Sequence, residues 1–163
     1  MKTRQQAFTI LLADSDPDEY YLLRDALEEN GFTGELDYVS SRDELMTSLR
    51  SDRPPPSLLI MDFLAPGEEG VEALEELHRD PRLRHLPVVM MTVSSTPEDV
   101  IQSYTLGARS YIEKPLTFED QVRTVGILLQ YWRDAVVLPN VESAFAERDA
   151  TDLSTAPVDM AAL

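Results

Sequence analysis

Short apolar runs alternate along the chain with segments whose apolar residues recur at helical spacing. The runs cover residues 8–13, 35–39, 57–61, 87–91 and 109–112. Three of them are continuous, as expected for strands covered on both faces, whereas 35–39 alternates and predicts a sheet edge. Asp16, Pro17, Asp18 and Glu19 supply an N-cap, a first-position proline and first-turn acids ahead of a stripe of Leu22, Leu23, Ala26 and Leu27. Ser41 and Glu44 have capping-box spacing and open a second helix through Leu45 and Leu49. Val71, Leu74 and Leu77 mark a third helix. Thr96-Pro97-Glu98-Asp99 opens a fourth, which stops at Gly107, and Thr117 to Asp120 opens the fifth. Pro54-Pro55-Pro56 is a stiff connector. Five strand–helix units with short connections predict right-handed crossovers, hence an α/β fold: a doubly wound parallel sheet with helices on both faces.

The pattern weakens near residue 139. Residues 1–138 are expected to form one domain. Residues 139–163 read as an acidic tail, largely disordered, with a short helix around 141–149. The tail has one basic residue, Arg148, against Glu142, Glu147, Asp149, Asp152 and Asp159. The whole chain has 14 Lys+Arg and 30 Asp+Glu in 163 residues, a formal charge of -16. That balance disfavours nucleic acid and anionic membrane surfaces, both of which select cations. Cysteine is absent, which excludes disulfides, thiolate catalysis and Cys-based zinc sites. His78 and His85 have no plausible catalytic neighbour. Lys2 and Arg4 precede an apolar run that stops at Asp14, too short for a signal peptide, and no run approaches the ~20 residues of a membrane span. A cytoplasmic location is expected.

In open parallel sheets, ligands bind beyond the carboxyl ends of the strands. The residues that follow the runs are Asp14, Ser15 and Asp16, then Asp62, Thr92, and Glu113 with Lys114. Clustered carboxylates suit a hard cation such as Mg²⁺, and a carboxylate, already ionised, can attack phosphorus to give an acyl phosphate. A lysine ammonium and a threonine hydroxyl can then balance the phosphoryl oxygens.

These residues lie in four segments: Ile10-Leu11-Leu12-Ala13-Asp14; Leu59-Ile60-Met61-Asp62-Phe63-Leu64-Ala65-Pro66-Gly67 with Gly70; Pro87 to Thr92; and Gly107 to Pro115. Together they make residues 8–137 resemble the receiver domains of two-component response regulators. Residues 110–119, with Tyr131-Trp132 and Val137-Leu138-Pro139, are similar to the stand-alone regulators associated with phytochrome-type histidine kinases. The resemblance implies a flavodoxin-like five-stranded sheet of order 2-1-3-4-5. It implies Asp62 as phosphoacceptor, Thr92 and Lys114 as phosphate contacts, and Thr92 with Tyr111 as the switch pair. It also implies a Mg²⁺ site of Asp14, Asp62 and the Leu64 carbonyl, with Asp16 a further candidate ligand that competes with its role as N-cap. The second acid of the family's pair falls on Ser15, so Mg²⁺ affinity is expected to be weaker than at a two-acid site. The implied phosphodonor is a sensor histidine kinase or phosphotransfer protein. Output is expected through protein contacts, with no appended effector domain.

The expected role is therefore a phosphoacceptor that catalyses its own phosphorylation and dephosphorylation, not an enzyme acting on a separate substrate. One alternative is a degenerate receiver that binds partners without phosphorylation. A remote alternative is a phosphatase of haloacid-dehalogenase type with Asp14 as nucleophile, but Pro17 opens a helix at once and Asp62 is left unexplained. An EF-hand reading of Asp14, Asp16 and Asp18 fails because Glu19 stands where glycine is needed. The fifth helix carries one apolar row (Phe118, Val122, Val125, Leu129, Trp132, Val136) and a second (Leu128, Tyr131, Ala135), a face wide enough to suggest a partner surface. Related regulators dimerise there, so a homodimer through the fourth helix, fifth strand and fifth helix is expected. The acid run Glu68, Glu69, Glu72, Glu75 and Glu76 reads as a solvated helix face.

Overall fold

The computed structural model describes residues 7–63 and 69–140. Strands and helices alternate in the order β1 (Thr9–Ala13), α1 (Pro17–Glu29), β2 (Glu35–Val39), α2 (Arg42–Leu49), β3 (Leu58–Met61), α3 (Glu69–Arg79), β4 (Val88–Thr92), α4 (Pro97–Thr105), β5 (Ser110–Glu113) and α5 (Phe118–Leu129). A π-helical turn, Gln130–Ala135, continues α5. All strand pairings are parallel and the sheet order is β2-β1-β3-β4-β5, as expected. Residues 141–163, most of the acidic tail, lie outside the described residues, as do Leu64 and Glu68.

The helix starts form for the reasons given by their sequences. Asp16, Ser41, Thr96 and Thr117 each accept a backbone N–H from the first turn of the helix they cap. The capping box at α2 is shifted by one residue. The Glu44 carboxylate accepts from the Ser40 N–H at 2.7 Å and the Ser40 hydroxyl at 3.0 Å. Gly107, at φ +98°, reverses the chain after α4, and a side chain there would press on the His78 ring.

Because side chains alternate across a strand, the sheet divides its apolar residues between two layers. Leu11, Leu59, Met61, Val88 and Met90 face α2 and α3, where Leu45, Leu49, Leu74 and Leu77 meet them. Ile10, Leu12, Leu58, Ile60, Val89 and Met91 face α1 and α5, meeting Leu23, Leu27, Val125 and Leu129. Leu22, expected in the α1 stripe, is instead exposed. Of the second α5 row, Leu128 is buried in this core, whereas Tyr131 and Ala135 are exposed. Asn30 ties α1 to α5, its side-chain amide donating to the Val122 carbonyl at 2.8 Å.

The acidic face of α3 is only partly solvated. Arg42 donates to Glu72 at 3.0 Å and to Glu76 at 2.8 Å, and Arg50 donates to Glu76 at 2.8 Å, clamping α2 to α3. Such exposed pairs contribute little singly and more as a network.

Leu59, fully buried in the sheet's centre, and Ile127, 62% exposed on α5, give opposite expectations. Leu59→Ala costs about 2–5 kcal/mol through lost contacts and the cavity it leaves. Ile127→Ala costs less than about 0.5 kcal/mol. Urea denaturation of the two variants checks the difference, and equal losses would contradict the assigned burial.

Candidate functional site

The register of the sheet assembles the carboxyl rim. Ala13 pairs with Met61, so Asp14 and Asp62 emerge side by side from neighbouring strands. The Asp62 amide donates to the Ala13 carbonyl at 3.0 Å. Thr92 pairs with Glu113, which places Lys114 at the same end. The Lys114 amide closes that pairing on the Thr92 carbonyl at 2.8 Å.

The Lys114 ammonium lies at the centre. Its Nζ donates to Asp14 Oδ2 at 2.8 Å and to Asp62 Oδ2 at 2.9 Å. Glu19 Oε1 stands 3.4 Å from the same nitrogen. Asp14 is 2% exposed, and its other oxygen accepts the Asp16 amide at 2.9 Å. Asp62 Oδ1 accepts the Phe63 amide at 2.7 Å. Burial raises the Asp14 pKa above its ordinary value, opposed by the Lys114 hydrogen bond. Burial raises Glu19 similarly, with the Lys114 charge opposing. For Lys114, burial disfavours the ammonium, but the hydrogen bonds it donates to Asp14 and Asp62 outweigh burial and raise its pKa.

Ser15 and Asp16 are exposed. The Asp16 carboxylate accepts the Asp18 amide at 3.0 Å as N-cap of α1, so Asp16 reaches Asp14 through its backbone. Glu19 was legible only as a first-turn acid, and its approach to Lys114 follows from the angle at which α1 leaves β1. Among the described residues, no group of three or more acids and histidines is arranged to hold a metal ion. The donor set is nonetheless all oxygen, with Asp14 and Asp62 converging on one cation. It therefore fits a hard dication that keeps several waters, as Mg²⁺ does.

Beside this cluster, Thr92 is buried, at 2% exposure, with its hydroxyl 3.5 Å from the Ser94 amide. Tyr111 bridges that loop to the Asp62 strand. Its hydroxyl donates to the Ser94 carbonyl at 2.8 Å, while its ring tilts against Phe63 with centroids 6.3 Å apart. The Ser94 hydroxyl in turn donates to the Asp99 carboxylate on α4. Gly70 holds the other side: its amide donates to the Phe63 carbonyl at 2.9 Å. A Cβ at Gly70 would come within 2.5 Å of the Phe63 backbone, so only glycine lets α3 start this close to Asp62. His78 and His85 are exposed and take no part in the cluster.

A doubly wound sheet with an acid–lysine cluster at its carboxyl rim defines the class of protein. Residues 10–125 match the response regulator receiver domain family, and the chain belongs to it. It is 33% identical over 132 residues to the probable methanogenesis regulatory protein FilR2 of Methanothrix harundinacea, covering 78% of this chain and 85% of that protein. It is 29% identical over 135 residues to response regulator Rcp1 of Synechocystis, covering 80% of this chain and 92% of that protein. The phosphorylated cyanobacterial phytochrome response regulator RcpA superposes with a TM-score of 0.76 at 26% identity, covering 83% of this chain and 100% of the other. The Mn²⁺-bound form of Rcp1 gives 0.73 at 28% identity, covering 81% and 99%.

Removing the ammonium tests the electrostatics. Lys114→Met leaves Asp14, Glu19 and Asp62 uncompensated and costs about 3 kcal/mol at pH 7. Asp14 and Glu19, already raised by burial, then bind protons more readily folded than unfolded, so the loss shrinks as pH falls toward 5. In the parent chain the raised Lys114 pKa contributes stability that is present below the ordinary lysine value and lost above it. Urea denaturation across pH 5–11 measures both trends, and a variant loss independent of pH would contradict them.

Proposed function

We propose that this chain is a phosphoacceptor that takes a phosphoryl group onto Asp62 from the phosphohistidine of a sensor histidine kinase or phosphotransfer protein. The observation that carries the proposal is the Lys114 ammonium bound at once to Asp14 and Asp62. In the transfer, an Asp62 oxygen forms the new bond to phosphorus as the phosphorus–nitrogen bond breaks, and the electron pair stays on the departing imidazole. A carboxylate nucleophile of this kind needs no general base. Lys114, already in contact with Asp62, neutralises charge that spreads over the equatorial oxygens, and the Thr92 hydroxyl supplies a further hydrogen bond. Asp14 and Asp62, with Asp16 left as a helix cap, are the side chains that hold Mg²⁺. When bound, the ion lowers the repulsion between carboxylate and phosphoryl group. Leu64, the proposed backbone ligand, lies outside the described residues.

Output follows from the contacts that surround Thr92. A phosphoryl group drawing the Thr92 hydroxyl would pull on the Ser94 loop, to which the Tyr111 hydroxyl is anchored, and so alter α4 and β5. Exposed apolar side chains on α4, the loop before α5, α5 and its π-helical continuation, among them Ile101, Tyr104, Leu116, Phe118 and Tyr131, offer this face to a partner. We assign it to a second copy of the chain. The setting is cytoplasmic, which agrees with the acidic, cysteine-free composition. Among the described residues, no helix is long and apolar enough to cross a membrane.

Incubation with acetyl phosphate and Mg²⁺ is expected to add one phosphoryl group, seen by intact-protein mass spectrometry, and omission of Mg²⁺ to abolish it. Asp62→Asn is expected to remain unlabelled. Equal labelling of Asp62→Asn would refute the assignment, and a wild-type chain that never labels would favour a receiver that binds partners without phosphorylation.

A further inference from the structure

Glu19 occupies a position that a first-turn helix acid has no need to take. An acid that only complements the helix dipole gains most of that benefit while remaining solvated. Glu19 instead turns inward. Its side chain is 23% exposed and its Oε1 lies 3.4 Å from Lys114 Nζ, the ammonium that also binds Asp14 and Asp62. The start of α1 is fixed beside Asp14, because the Asp16 amide donates to Asp14 Oδ1 and the Asp16 carboxylate accepts the Asp18 amide. The Glu19 amide bonds back to the Asp16 carbonyl at 3.2 Å. The residue next to Asp14, Ser15, is exposed and brings no charge.

We propose that Glu19 supplies at this rim the third negative charge that Ser15 does not, so that the site binds Mg²⁺ through two liganding carboxylates and one further carboxylate acting by its field. The inference rests on the phosphoacceptor reading above. Asp14, Asp62 and Glu19 set against one ammonium leave the cluster two charges negative, the complement of a dication. Among the described residues no three acids are arranged to ligate one ion, and Glu19 stands 3.4 Å from the ammonium, so it acts at ion-pair range. A unit charge a few ångströms beyond the ligand shell, in a site still open to water, alters divalent-ion affinity by about tenfold. Glu19 is therefore a positioning and charge-supplying residue, separate from the group that reacts.

Calorimetric titration of the full chain with MgCl₂ tests this directly, using wild type, Glu19→Gln, Ser15→Asp and the double variant. Glu19→Gln is expected to weaken Mg²⁺ binding about tenfold. Ser15→Asp is expected to strengthen it, and the double variant, with the carboxylate moved from position 19 to 15, to bind at least as tightly as wild type. The Mg²⁺-induced rise in melting temperature should shrink in Glu19→Gln and return in the double variant. Glutamine has nearly the shape of glutamate, and the melting curves without Mg²⁺ report whether the fold is kept. A purely structural Glu19 would change those curves and leave Mg²⁺ affinity alone. Unchanged affinity in Glu19→Gln, with wild type still binding, would overturn the role of Glu19 and leave the phosphoacceptor reading standing. No binding to wild type at millimolar Mg²⁺ would overturn both.

Discussion

A lysine ammonium held between two aspartates is the contact on which the carboxyl rim depends. Asp14 is almost wholly buried, and a buried carboxylate is costly unless a cation and hydrogen bonds satisfy it. Lys114 supplies the cation and the Asp16 amide a donor to the carboxylate, while the Tyr38 hydroxyl donates to the Asp14 backbone carbonyl at 2.8 Å. Each comes from a different part of the chain, so the arrangement exists only once β2, β1, β3 and β5 are in register. A parallel sheet makes this possible because all its strands end on one side, and residues 100 positions apart in sequence meet there.

The same contact sets the charge around Asp62. Lys114 neutralises part of the charge, yet Asp62 keeps a side chain 20% exposed, with one oxygen on the ammonium and the other on the Phe63 amide. From Asp62 two physical links lead outward. Through Phe63 the backbone reaches Gly70 at the start of α3, and through the Phe63 ring it reaches Tyr111, whose hydroxyl holds the loop before α4. Packed contacts of this kind carry coupling only where an element has two arrangements. In the proposed reading, Tyr111 and the Ser94 loop are the element that phosphorylation of Asp62 would bias.

Much of this was legible in the sequence. Continuous apolar runs marked the interior strands because both faces are covered. The alternation of 35–39 marked the edge strand because one of its faces meets water. Four cap residues gave the helix starts because side-chain oxygens there satisfy amides that nothing else can. Placing Asp14, Asp62, Thr92 and Lys114 on one rim required only that the strands be parallel. What stayed hidden depends on angles between elements. Glu19 reads as a dipole-complementing acid until α1 is laid against the sheet. Leu128 reads as part of an outer row until α1 covers it. Glu76 reads as solvated until Arg42 and Arg50 arrive from α2. Phe63 carried no signal of contact with Tyr111, since ring packing across strands has no local period.

The central claim is that Asp62 accepts a phosphoryl group at a rim held by Asp14 and Lys114. A crystal structure of the chain grown with Mg²⁺ and beryllofluoride, a mimic of the aspartyl phosphate, tests it most directly. The account predicts beryllofluoride attached to the Asp62 carboxylate, Lys114 in contact with it, and the cation between Asp14 and Asp62. An unmodified Asp62 still bridged to Asp14 by Lys114, with no cation at the rim, would contradict it.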